Sequence, residues 1–154
     1  MSLLVIHNIS LPPGEFGTGY IQAFFQNCLA HDAHPYFATL VGVCVSSHLL
    51  IDRCGQVTQF VSLEDRAWHA GASSYNGVAD CNNYSIGVEL EGTDDLAYTE
   101  QQYQALAKLC RLICSVYPAV SAERIVGHND IAPGRKTDPG SAFDWCRLRE
   151  LMEG

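Results

Sequence analysis

Basic charge is scarce in this chain: 9 Lys and Arg stand against 17 Asp and Glu, a formal charge of −8 over 154 residues. That balance argues against nonspecific association with nucleic acid or an anionic membrane, since both need a cationic surface that releases counterions. No Lys or Arg occurs before Arg53, so the basic segment that opens a secretory signal is missing, and export is not expected if Met1 is the native start. Long apolar runs are missing too. The longest, counting glycine, is Phe37 to Val45 with Thr39 inside it, far short of the ~20 residues that span a bilayer. The seven cysteines, Cys28, Cys44, Cys54, Cys81, Cys110, Cys114 and Cys146, are odd in number and contain no CxxC pair. A disulfide framework and a cysteine-held metal cluster are therefore disfavoured, and a reduced, cytoplasmic chain is expected. No residue reports the oligomeric state, for which a monomer is the default expectation.

What is present is ordinary for a folded domain: 47% hydrophobic and 17% charged residues, without repeats or linker-like runs, so residues 1–154 read as one unit. Leu3 to His7 is a β-prone run stopped by Asn8 and by Leu11-Pro12-Pro13-Gly14, which leaves His7 at a strand end. Ile21, Phe24, Phe25 and Cys28 recur at i, i+3, i+4 and i+7, one buried face of a helix. Strands are expected over 41–51 and 56–61, joined by the turn Asp52-Arg53-Cys54-Gly55. A long irregular stretch, "RAWHAGASSYNGVADCNN", separates them from the alternating run Tyr84 to Glu91. Ile86, Val88 and Leu90 lie on one side of that run and Ser85, Gly87, Glu89 and Glu91 on the other, where the plain reading is a solvated face. Thr99 and Gln102 form a capping-box pattern ahead of a stripe from Tyr103 to Tyr117, which Pro118 ends. A last helix carrying Trp145, Leu148, Leu151 and Met152 follows Ser141. The order predicts a single-domain α/β fold, a central mixed or mostly antiparallel sheet flanked by helices.

The stretch "VGHNDIAPGRKTDPG", residues 126–140, concentrates His128, Asp130, Asp138 and the adjacent basic pair Arg135-Lys136 in a segment broken by two prolines and two glycines. Catalytic zinc takes about three protein ligands, His and carboxylate among them, and leaves a position for water. His7, His128 and Asp138 could supply them. Each also has a plain reading: a lone histidine is more often a surface or core residue, and Asp138 before Pro139-Gly140 suits a turn or a helix cap. Spacing alone does not decide between them.

"LLVIHNISLPPGEFG", "DAHPYFA", "RAWHAGASSYNG", "CNNYSIGVELEGTDDLAYTEQQY" and "GHNDIAPGRKTDPGSAFDW" occur in this order from Leu3 to Trp145. Together they resemble the cytoplasmic 1,6-anhydro-N-acetylmuramoyl-L-alanine amidases, the AmpD-type zinc amidases. The resemblance implies a mixed sheet flanked by helices and a Zn2+-dependent hydrolase. Its substrate would be an anhydro-muropeptide, cut between the lactyl group of anhydro-muramic acid and the first L-alanine. It further implies zinc ligands at His7, His128 and Asp138, a catalytic glutamate at Glu89 and a catalytic lysine at Lys136. Within the matched blocks Asn8, Tyr36, Trp68, His69 and Arg135 are candidates for substrate contacts, whereas His31, His34 and His48 are assigned to structure. Family members usually carry a leader before the first ligand. Asp80 and Cys44 stand where some relatives are expected to have basic residues, so a different stem-peptide preference is expected. Two rival readings remain: a peptidoglycan-recognition module that binds without cleaving, and an amidase that acts on intact cell wall.

Overall fold

The computed structural model describes all 154 residues. Strands β1 (Leu3–Ile9), β2 (Leu49–Ile51), β3 (Val57–Gln59), β6 (Ser85–Glu91) and β7 (Ile125–Gly127) form one mixed sheet in the order β3-β2-β6-β1-β7. β4 (Ser74–Tyr75) and β5 (Val78–Ala79) make a separate small hairpin. The helices are α1 (Tyr20–Phe25), α2 (Glu100–Val116), the single turn α3 (His128–Ile131) and α4 (Trp145–Glu153). No helix is long and apolar enough to cross a membrane.

Of the two sheet types left open by the sequence, the parallel-rich one forms. β6, β1 and β7 run parallel, β2 runs parallel to β6, and only the β2–β3 hairpin is antiparallel. A strand covered on both faces should be buried throughout, and β6 is buried at all seven positions. This corrects the solvated face expected for Ser85, Glu89 and Glu91. The 66–83 stretch lies over that side, with Ala67, Ala70, Cys81 and Asn82 all buried.

The other face, formed by Leu4, Ile6, Ile86, Val88 and Leu90, packs with Leu106, Ile113 and Leu148 of α2 and α4 in a cluster of 17 buried residues. Each such aliphatic side chain contributes ~1.5–3 kcal/mol when fully buried. α2 starts where the capping pattern placed it: Gln102 N donates to Thr99 Oγ1 (3.1 Å) and Thr99 N to Gln102 Oε1 (3.1 Å). The site side carries two smaller clusters, one around Phe24, Phe25, Phe37 and Leu50 and one around Leu3, Val5, Ala70 and Ile131. Between them the sheet face is polar.

Two other expectations are corrected. The predicted strand over 41–51 shrinks to Leu49–Ile51, because Gly42 takes a left-handed φ of 79° and Val41 and Val43 turn outward. Cys28 is exposed rather than on the buried helix face. Asn27 adopts φ 56° and ends α1, with Cys28 N donating to Ala23 O and Asn27 N to Phe24 O, the paired bonds of a Schellman cap.

Candidate metal centre

Ligand sites of parallel sheets lie at the carboxyl ends of the strands, and three such ends meet here. His7 on β1 is the register partner of Glu89 on β6, so the two side chains leave the same face of adjacent strands. His128 is the first residue of α3, directly after β7. Asp138 comes from the Pro- and Gly-rich segment that follows, whose backbone is tied to α3 by the bond from Asn129 N to Asp138 O (3.0 Å).

The three ligand atoms form a nearly equilateral triangle: His7 Nδ1 to His128 Nδ1 2.9 Å, His7 Nδ1 to Asp138 Oδ2 3.1 Å, and His128 Nδ1 to Asp138 Oδ2 3.0 Å. Both rings are buried. The far nitrogen of each is engaged: His128 Nε2 donates to Ala70 O (3.1 Å) and His7 Nε2 faces His69 Nδ1 (2.8 Å). A carbonyl only accepts, so His128 carries its proton on Nε2 and turns a lone pair of Nδ1 into the triangle. A carboxylate oxygen and unprotonated ring nitrogens pointed at one another require a cation or a proton between them. Burial disfavours the proton, holding the His7 pKa at about 4, below its ordinary 6.5, and Asp138 stays below the usual carboxylate range despite its burial because His128 and His7 bond to it. The donor set, two imidazoles and one carboxylate, suits a divalent ion with a position left open.

Beside the triangle, Glu89 Oε2 is buried and has no hydrogen-bond partner. Desolvation pushes the Glu89 carboxyl well above its ordinary value, the Asp138 charge acts the same way and Lys136 opposes both. These groups line a cavity of about 300 Å³ with Phe24, Phe25, Val43, Val45 and Trp68 on its apolar side. Across the ridge made by Asn8, Lys136 and Asp138 lies a second cleft of about 510 Å³ with no hydrophobic lining residue.

The candidate substrate contacts separate by position. Asn8 lines both clefts and donates to Asp94 Oδ1 (2.8 Å) and Pro139 O (3.1 Å). Trp68 is 57% exposed on the cavity wall, with the Arg66 guanidinium 4.1 Å above its ring. Arg135 donates to Ala70 O (2.7 Å) and Ala72 O (2.8 Å), so its guanidinium holds the loop that faces His128. Tyr36 sits on the 3-10 turn Pro35–Leu40 and lines neither cleft. His69 lies largely buried beside His7, at the edge of the first cavity. His31 bonds Phe37 O, His34 accepts from Tyr36 N, and His48 bridges Gly87 N and Asp65 O. Ser85 and Gly87 also adjoin the site, through His69. A glycine inside a buried strand is the sequence signal for such a close approach.

The N-acetylmuramoyl-L-alanine amidase family model matches residues 1–141. This chain belongs to that family. The amidase is 56% identical over 151 residues to the 1,6-anhydro-N-acetylmuramyl-L-alanine amidase AmpD of Salmonella typhimurium, covering 98% of this chain and 80% of that protein. It superposes on a crystal structure of an AmpD selenomethionine derivative with a TM-score of 0.95 at 56% identity, over 97% of this chain and 83% of the other. A complex of the E. coli N-acetylmuramyl-L-alanine amidase AmiD with anhydro-N-acetylmuramic acid-L-Ala-D-γ-Glu-L-Lys aligns with a TM-score of 0.71 and 30% identity, over 98% of this chain and 57% of that one.

Proposed function

We propose that this amidase hydrolyses the amide between 1,6-anhydro-N-acetylmuramic acid and the L-alanine of its stem peptide, with Zn2+ held by His7, His128 and Asp138. The observation that carries this reading is the triangle of converging donor atoms beside the unpartnered carboxyl of Glu89. Zinc in such a cage supplies Lewis-acid polarisation of the scissile carbonyl and lowers the pKa of water to ~7. Glu89 takes the proton of the attacking water and delivers it to the departing alanine nitrogen. Lys136 donates to the carbonyl oxygen as it gains negative charge. The apolar side chains of Phe24, Phe25 and Val45 border these charges and lower the dielectric around them. The two unlike clefts that meet at Lys136 and Asp138 suit a substrate with two unlike halves. The same reading places the reaction on soluble muropeptides in the cytoplasm, with the monomer as the active unit.

The test combines metal analysis with mass spectrometry of an anhydromuramoyl-peptide digest, for wild type and Asp138→Ala. Stoichiometric zinc and release of free stem peptide by wild type alone are expected. Tight binding without turnover would mark a recognition module instead, and preferential cleavage of whole sacculi would move the substrate to intact wall.

A further inference from the structure

Behind the metal ligands runs a chain of hydrogen bonds whose direction is set by a backbone carbonyl. Cys81 O accepts the hydroxyl proton of Ser85 Oγ (2.6 Å). That proton is the only one Ser85 has, so Ser85 Oγ must accept in its contact with His69 Nε2 (3.2 Å), and His69 carries its proton there. A neutral imidazole has a single N–H, which leaves His69 Nδ1 an acceptor. His7 Nε2, 2.8 Å away, is then the donor, and His7 Nδ1 turns its lone pair toward His128 and Asp138.

The His69 ring is fixed from three sides. Asn82 Oδ1 accepts from the backbone N–H of His69 (3.1 Å) and of Ala70 (2.8 Å). His48 stands edge-on to it at 5.6 Å between centroids and accepts from Gly87 N (2.9 Å). The ring occupies the space where residue 87 has no side chain: a Cβ on Gly87 would lie 2.5 Å from His69 Cγ.

We infer that His69 is a positioning residue, oriented by Ser85 and accommodated by Gly87, that holds His7 in the Nε2–H tautomer and so presents Nδ1 to the metal. The inference rests on the metal reading for His7. It gives His69 a place beside the ligands in addition to the substrate contact expected from sequence. Groups that orient metal-bound histidines typically matter 10–100-fold in metal affinity when removed.

The experiment has two readouts. Long-range ¹⁵N–¹H NMR of the metal-free protein reports the tautomer of His7, and competition with a chromophoric chelator reports Zn2+ affinity. In wild type a single Nε2–H form of His7 is expected. In His69→Leu the tautomers mix and Zn2+ binding weakens ~10–100-fold. His69→Gln, which still accepts from His7 and donates to Ser85, recovers a large part of the loss. Gly87→Ala, which keeps His69 but displaces its ring, reproduces it. If His69→Leu does not fold, Ser85→Ala preserves the ring's volume and carries the same expectation of mixed tautomers. An Nδ1–H form of His7 in wild type, or wild-type zinc affinity with one tautomer in His69→Leu, overturns the inference. Failure of wild type to bind Zn2+ would instead sink the metal reading, and the tautomer measurement would still stand.

Discussion

Alternation along β6 puts Glu89 and Glu91 on one face, and their surroundings separate them. Glu91 Oε1 accepts from Gly17 N (2.7 Å) and Oε2 from Arg53 N (3.2 Å), so that carboxylate is spent on pinning two loops. Glu89 keeps an unpartnered oxygen in the reaction cavity. Removing a group that transfers protons costs ~10²–10⁴ in rate. Glu89→Gln should therefore lose turnover in that range in a peptide-release assay while retaining its metal. Its melting temperature should not fall, because a desolvated ionisable group gives way to a neutral isostere. Lys136→Met should lose ~10²–10³ in kcat through the missing oxyanion donor, with zinc content unchanged. The types of the candidate residues were legible in the sequence, through motif resemblance. The choice between two glutamates two positions apart has a physical basis only in the partners of Glu91, 74 and 38 residues away, and in the lack of one at Glu89 Oε2.

At the scale of elements, the loop that delivers Asp138 contains two glycines with left-handed backbone that differ in their surroundings. Gly134 (φ 76°) has nothing within 4 Å of a built Cβ, whereas a Cβ on Gly140 (φ 82°) would meet Asp94 Cα at 2.2 Å. Gly134→Ala should cost only the conformational strain, ~1–2 kcal/mol by chemical denaturation. Gly140→Ala adds a backbone clash and should cost on the order of 3 kcal/mol. It should also weaken Zn2+ binding, since Asp138 lies two residues upstream. Equal destabilisation by both would show that the contact with Asp94 does not matter. Elements with strong local signals were legible: β1, the capped α2 and α4, whose N-cap Asp144 accepts from Arg147 N (2.9 Å). Elements defined by distant pairing were not. β7 has only three residues and exists because Leu4, Val5 and Ile6 pair with it. The two-residue strands β4 and β5 flank Asn76-Gly77, both at positive φ, a hairpin signal carried by the dipeptide itself.

Across the whole molecule, the fold gathers lone pairs from β1 and from the distant 126–140 stretch at one end of a parallel sheet, and folding and metal binding are therefore linked. The sign of the pH dependence follows from the two ligands that burial and bonding hold below their ordinary values. His7 titrates at about 4 when folded and at 6.5 when unfolded, so the unfolded chain takes up more protons in that interval and stability present above pH 6.5 is lost as the pH falls through it. Asp138, also lowered, extends the loss to more acid conditions. Glu89 acts in the opposite sense, since its raised value favours the folded state at low pH and costs stability as the pH rises. A cation in the triangle relieves the repulsion among its donors and competes with protons for them. Saturating zinc should raise the stability of chelator-treated protein by ~4 kcal/mol at a thousandfold excess over Kd. Calorimetry at pH 7.5 should show that gain in full, and it should shrink only as the pH falls through about 4, where His7 of the folded chain takes up its proton and competes with the cation. Asp138→Ala should show little gain at any pH. A melting temperature independent of zinc at pH 7.5 would mean that the three donors converge for structural reasons alone.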